Sequence, residues 1–299
     1  MITDAAATRI MELLDELRDY VTNAQAMGSL TDKPADGSAT SSSDSASRAA
    51  AEAAAKATDQ AASAEQSATL WPAAKPTDAS RFFTDHGKFY DFLRGNKLLG
   101  PAIDQKEFDG CEAIIIAFGS AGAPVSYCAY GLATAYLETA NTMQPVAEAN
   151  WLSLSARHAY FKRMYDIQGQ RPSKARELGN LSPGDGIRYH GRGYVQLTGK
   201  ANYEKATNKL RAMQYDVDLV ANPDLAMRPD IAAIIMVRGM MEGWFTGREL
   251  SDDLPEQGAA SFEQFRASRD IINGRDRQDD VARFAIDFQT GLLQAGYHV

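Results

Sequence analysis

Cysteine is almost missing from this chain: two residues in 299, Cys111 and Cys128, both in apolar surroundings. Two thiols cannot build a disulfide framework, and two alone do not make a zinc site. Buried structural thiols are the expectation, because free cysteine is among the most buried residue types. Histidine is scarce too. His86, His158, His190 and His298 are scattered, with no metal-ligating spacing such as HExxH, so neither a metal nor another cofactor is expected. No run of 18 or more apolar residues occurs, so no segment reads as membrane-spanning. Met1-Ile2-Thr3-Asp4 lacks the basic start and apolar stretch of a secretory signal. Synthesis in the cytoplasm without a signal peptide is the expectation.

Basic charge is also short. The net charge is −8, and residues 1–80 hold 12 acidic against 6 basic side chains, a balance of −6. Residues 81–299 hold 27 against 25, a balance of −2. A nucleic-acid-binding role therefore has no electrostatic footprint. A basic protein would be drawn to an anionic polymer, and this chain lacks that aid.

What is present falls into three zones. In residues 1–27, Ile10, Leu13, Leu14, Leu17, Tyr20 and Val21 recur at helical spacing, with Arg9, Glu12, Asp15, Glu16, Arg18 and Asp19 on the other face. An amphipathic helix this short needs a partner surface, so docking or self-association is expected of it. Residues 28–80 are low in complexity: a Ser/Gly/Ala/Thr/Asp run, then an alanine-dominated stretch. No bulky apolar residue lies between Ser47 and Leu70. Such a segment is a spacer, helical in part, that cannot build a core.

Residues 81–299 carry mostly a 3.6-residue apolar period, which predicts a mainly α-helical domain. Helices are expected over 89–99, 111–118, 127–139, 151–167, 231–241, 262–272 and 279–293. A hairpin is expected around 187–197, where Gly191 and Gly193 flank Arg192.

The most informative string is Tyr189-His190-Gly191-Arg192-Gly193-Tyr194-Val195-Gln196-Leu197-Thr198-Gly199-Lys200-Ala201-Asn202-Tyr203. Polar side chains alternate with aromatics and glycines. Glycine lets backbone approach a ligand closely. Aromatic faces with amide and hydroxyl groups suit sugar rings, which have apolar faces and hydroxyl rims. A hairpin with a polar outer face has the same composition, so both readings stand at this point.

This string resembles the GRGxxQLT-xxxNY signature of family 19 glycoside hydrolases, a group of plant-type chitinases and phage endolysins. Four other segments in the family's order add to the resemblance. Leu137-Glu138-Thr139-Ala140-Asn141-Thr142 is similar to its HET-G segment. Asn222-Pro223-Asp224-Leu225-Ala226 and Gly243-Trp244-Phe245-Thr246-Gly247 resemble the endolysin branch. Ile272-Asn273-Gly274 followed by Arg283 resembles the ING…R element. The resemblance covers zone three and none of residues 1–80. It implies a lysozyme-like, two-lobed helical domain with a small β-hairpin element.

The resemblance also implies roles. Glu138 would be the general acid; at the end of an apolar helix its carboxyl is expected against apolar neighbours, which would raise its pKa. An inverting enzyme needs a second carboxylate roughly 6.5–9.5 Å away to activate water. Glu148, ten residues on and past Pro145, is the choice that fits the endolysin interval, with Asp166, Glu177 and Asp185 as rivals. Thr198 and Gln196 would hold the water and the sugar, and Asn202, Tyr203 and Asn273 would line the groove. Arg192 is read as a substrate contact or a brace for Glu148 or its loop. Leu137 and Asn141 depart from the family pattern, which has histidine and glycine there. Asparagine tolerates the left-handed backbone a tight turn needs.

The leading reading is a lysozyme that cleaves the β-1,4 link between N-acetylmuramic acid and N-acetylglucosamine in peptidoglycan, released through a holin-type pore or from a phage particle. Chitin hydrolysis is a second reading. A virion structural or adaptor protein that retains a lysozyme-like domain is a third, motivated by residues 1–80.

Overall fold

The structure, a computed structural model, describes residues 78–299 apart from Pro101 and Asn273. The helix expected over 1–27 and all but the last three residues of the low-complexity stretch over 28–80 lie outside the described residues. The described part is mainly helical with one two-stranded antiparallel sheet. Packing already holds at its first residues. Ala79–Phe82 forms a 3-10 turn capped by Asp78, with Ala79 and Phe82 buried.

The longer helices are α1 (His86–Gly95), α2 (Gln105–Ser120), α3 (Val125–Glu138) and α4 (Leu154–Tyr165). Two short ones, α5 (Pro172–Glu177) and α6 (Asp185–Arg188), precede α7 (Lys200–Ala212) and α8 (Pro229–Met241). Then α9 (Phe262–Ala267) leads to α10 (Gln278–Gln294). The sheet pairs β1 (Val146–Ala147) with β2 (Arg192–Gly193).

Helix α3 is the axis of the fold. Every residue from Ser126 to Leu137 is buried. A helix apolar all round belongs inside a protein rather than on its surface. It packs most extensively against α10, with α2 beside it. Truncating a residue such as Leu132, with 0% exposure, to alanine is expected to cost about 2–5 kcal/mol. The helix stops at Glu138, seven residues before Pro145, so proline is not what ends it. Instead Asn141 N–H donates to the Tyr136 carbonyl (2.8 Å) and Ala140 N–H to the Leu137 carbonyl (3.3 Å). This is a Schellman closure made without glycine: Ala140 (φ 50°) and Asn141 (φ 71°) take the left-handed backbone.

Two hydrophobic clusters share α8. Ala232, Ala233, Met236, Val237 and Met240 join the larger cluster around α1, α2, α3 and α10. Ile231 and Ile235 join a smaller one with Tyr189, Leu197, Tyr203, Leu210 and Trp244. Both cysteines are free and buried. No helix among the described residues is long and apolar enough to cross a membrane.

Five expected elements differ. The helix expected over 89–99 ends at Gly95, and the one expected over 111–118 begins at Gln105, where Asp104 caps it. The helix expected over 151–167 starts only at Leu154, because Ser153 caps it by accepting the Ala156 N–H. The helix expected over 262–272 tightens into a 3-10 turn at Ser268–Ile271. The hairpin expected over 187–197 is reduced to one bridge, Arg192 to Leu197, and the main strand partner of Arg192 is Ala147 instead.

Candidate active site

Tyr130, Thr134 and Glu138 recur every four residues along α3, so they share one face. The Tyr130 hydroxyl donates to the Ser268 carbonyl at 2.7 Å. That bond fixes the 3-10 turn that follows α9, and the next residue, Arg269, reaches back along the same face. Arg269 Nη2 lies 2.7 Å from Glu138 Oε1, and the arginine side chain is only 2% exposed against 20% for the glutamate. Its Nε donates to the Asp276 carbonyl (2.8 Å), whereas Nη1 is buried without a hydrogen-bond partner. Glu138 Oε1 is itself buried, within ion-pair distance of Nη2 but not aligned for a hydrogen bond. The apolar setting expected for this carboxyl is therefore not what surrounds it: a buried guanidinium faces it. Nothing in the sequence near Glu138 points to Arg269.

Glu148 is placed by the sheet. With Val146 opposite Gly193 and Ala147 opposite Arg192, the Glu148 N–H donates to the Gly191 carbonyl (2.9 Å). Its carboxylate takes the Tyr165 hydroxyl (2.7 Å) on Oε1 and the Gly191 N–H (3.2 Å) on Oε2. Burial pushes the Glu148 carboxyl above the ordinary glutamate value, against the hydrogen bonds from Tyr165, Gly191 and Tyr160 that favour its charged form.

The expected water-holding residues gather here. A Cβ added at Gly191 would meet Gln196 Oε1 at 2.6 Å, Glu148 Oε2 at 3.0 Å and Thr198 Oγ1 at 3.0 Å. Three oxygens thus crowd the side of Gly191 on which any side chain would stand, so only glycine fits there. Gln196 is held by its Nε2 donating to the Val146 carbonyl (2.9 Å), and Thr198 Oγ1 donates to the Gln196 carbonyl (2.8 Å).

Backbone strain collects around the same segment. Of the eight non-glycine residues with positive φ among those described, Ala140, Asn141, Met143, Ala149 and Gln196 lie between or beside the two glutamates. Each such residue costs on the order of 1–2 kcal/mol, and such strain clusters at functional sites.

The remaining expected residues part ways. Asn202 is exposed in the first turn of α7 and donates to the Thr198 carbonyl (2.7 Å). Tyr203 does not line a groove: it is 0% exposed, its hydroxyl donating to the His190 carbonyl (2.9 Å) beneath the loop. Arg192 is buried as well. Its Nε pairs with Asp224 (2.9 Å) and its Nη1 serves the Arg188 and His190 carbonyls and the Tyr203 hydroxyl. It braces the loop rather than meeting a substrate or Glu148. Asn273 lies outside the described residues.

The rival carboxylates are spoken for. Asp166 is 1% exposed and accepts the Gly184 N–H (2.6 Å). Asp185 accepts the Ser182 N–H (3.0 Å), and Glu177 pairs with Lys174. His190 stacks on Phe161 at 4.3 Å between ring centroids, and burial lowers its pKa to about 4, so it is neutral at physiological pH.

With this geometry in view, similarity to known proteins adds little. No family model and no curated protein matches the chain. Among solved structures, it is similar to a mutant of chitinase C (18% identity over 73% of this chain and 92% of that one, TM-score 0.35). It is also similar to chitinase C from Streptomyces griseus HUT6037 (18%, covering 74% and 76%, TM-score 0.34). A bacterial family 19 chitinase gives 19% identity, covering 70% and 92%, with a TM-score of 0.30. Scores this low say nothing about activity.

Away from the site, Asp78, His86 and Glu112 bring their donor atoms within 4.8 Å of one another, which the spacing of histidines did not foretell. These groups have partners of their own: Glu112 Oε1 takes His86 Nε2 (2.8 Å) and the Tyr90 hydroxyl (2.6 Å), and Asp78 accepts the Ser80 N–H (2.8 Å). A cavity of about 380 Å³ beside them, lined by His86, Tyr90, Arg94, Ile103 and Phe108, contains none of the expected site residues.

Proposed function

We propose that the chain is a glycoside hydrolase of lysozyme type that cleaves peptidoglycan by inversion, with Glu138 as acid and Glu148 as base. The observation that carries this reading is the gathering of Glu148 Oε2, Gln196 Oε1 and Thr198 Oγ1 beside Gly191. A water molecule held by these acceptors would donate one proton to Glu148 Oε2 and the other to Gln196 Oε1 or to Thr198 Oγ1, whose own proton goes to the Gln196 carbonyl. Glu148 takes a proton from that water as its oxygen bonds to the anomeric carbon. The glycosidic C–O bond breaks on the opposite face, and Glu138 gives its proton to the departing oxygen. A raised pKa suits Glu148 to this task, since a base works best when its pKa nears the working pH. Arg269 positions Glu138 and would stabilise the carboxylate left after proton transfer.

The raised pKa of Glu148 also favours a second reading, in which the two carboxyls exchange roles. The identity of the glycan is tested by mass analysis of new reducing ends after digestion of purified peptidoglycan and of N-acetylglucosamine oligomers. Fragments with reducing N-acetylmuramic acid are expected. Cleavage of the oligomers alone would make the chain a chitinase. Cleavage of neither would favour the virion structural or adaptor reading. Residues 1–80 are proposed to dock the enzyme or to self-associate. Sedimentation of the full chain and of a chain beginning at Leu70 tests this, and a monomer in both would leave only docking to another protein.

A further inference from the structure

Trp151 is the most exposed large apolar residue among those described, at 79%, and Leu154 beside it in sequence is 65% exposed. Trp244, by contrast, is 6% exposed, with its ring nitrogen donating to Glu242 (3.0 Å). Single exposed apolar residues are common and call for no explanation. The placement of this one does. It follows Glu148 by three residues, so the chain alone keeps its Cα within about 10 Å of the glutamate's. Its backbone is held on both sides. Before it, Glu148 N–H is bonded to Gly191, and Ala149 is buried in the left-handed conformation (φ 53°). After it, Leu152 N–H closes a turn onto the Ala149 carbonyl (3.0 Å), and Ser153 caps α4. Asn150 and Trp151 are thus the two central residues of a fixed turn, both exposed. The strained Ala149 sets that turn, at a position where glycine would have relaxed it.

A rigid backbone that displays a free indole next to a hydrolytic carboxylate is a preorganised platform, costing little further entropy on binding. The occupant that fits is a β-linked pyranose. Its C–H faces stack on an aromatic ring, and its equatorial hydroxyls stay at the edge, within the chemistry of the Asn150 amide. We propose that Trp151 is a sugar-stacking subsite, holding a ring of the glycan adjacent to the link cleaved between Glu138 and Glu148. The proposal rests on the glycosidase reading above.

The test uses the full chain, Trp151→Ala and Trp151→Phe, with solubilised peptidoglycan strands as substrate. A stacking contact away from the reacting atoms holds ground state and transition state alike, so its loss moves KM and leaves kcat. For Trp151→Ala, KM is expected to rise about tenfold with kcat within about twofold, and Trp151→Phe to fall between it and the parent. A second readout needs no turnover. Adding N-acetylglucosamine hexamer to Glu138→Gln is expected to shift its tryptophan emission, and the shift is expected to vanish in Glu138→Gln with Trp151→Phe. If the parent cleaves glycan while both Trp151 variants keep its KM and the emission does not respond, the subsite is overturned and the enzyme reading stands. If the parent neither cleaves nor binds any glycan, both fall together. If Trp151→Ala lowers kcat with KM unchanged, the residue shapes the Glu148 turn rather than binding sugar, and the proposal is overturned.

Discussion

Glu138 is carried by the end of a buried helix and answered by a buried arginine, whereas Glu148 follows a two-residue strand and is answered by a tyrosine hydroxyl and a backbone amide. The first carboxylate faces a fixed positive charge, and burial dominates the surroundings of the second. The comparison also separates rigidity from strain. Glu138 sits on regular backbone, while Glu148 lies in a segment with four left-handed non-glycine residues, Ala140, Asn141 and Met143 before it and Ala149 directly after it.

The largest expected effect breaks both sides in turn. Glu138→Gln and Glu148→Gln should each lower turnover on glycan by about 10²–10⁴-fold, measured by release of reducing ends. Their stabilities should move in opposite directions. Glu138→Gln leaves the Arg269 guanidinium buried without its counter-charge, a cost on the order of 1–3 kcal/mol in chemical denaturation. At Glu148 the folded chain holds its proton more tightly than the unfolded one, because the folded pKa is raised. That contribution to stability is present below the ordinary glutamate value and is lost as pH rises through the raised value. Ionised Glu148 is therefore a cost at pH 7, and Glu148→Gln should melt higher there, with the gain shrinking toward pH 4.

Gly191→Ala sharpens the contrast by touching one side only. Its methyl group meets the oxygens of Gln196, Glu148 and Thr198. Displacing them by a fraction of an ångström to an ångström should cost about 10²-fold in turnover while the circular dichroism spectrum stays unchanged. The smallest effect is expected from Tyr165→Phe. Removing a donor that favours the charged Glu148 raises its pKa further, so the acidic limb of the activity profile should move to higher pH. The same substitution should leave the alkaline limb in place.

Much of the helical frame was legible because burial is written as periodicity. Helix α3 reads directly from its unbroken apolar run, and Asn141 marks the left-handed turn that ends it. Helix α7 was missed because its polar first turn was read as part of a binding loop. Its buried face, Tyr203, Ala206, Thr207 and Leu210, has helical spacing and was the available signal. The sheet was not legible, since strands of two residues contain no alternation, and the partner of Arg192 lies 45 positions earlier. Within the motif string, residue type did not separate the two roles: Gln196 and Thr198 gather with Glu148 beside Gly191, whereas Tyr203 and Arg192 hold the loop from inside. Arg269 could not have been found. It lies 131 positions beyond Glu138 and is brought there by one tyrosine hydroxyl on a backbone carbonyl.

The division of labour between the two carboxylates is tested most directly with an aryl N-acetylglucosamine oligomer whose leaving group needs no protonation. Parent, Glu138→Gln and Glu148→Gln are compared by release of the phenolate. If Glu138 is the acid, its variant should cleave this substrate within about tenfold of the parent while failing on natural glycan, and Glu148→Gln should fail on both. The reverse pattern would exchange the roles, and undiminished glycan cleavage by both variants would place the active site elsewhere.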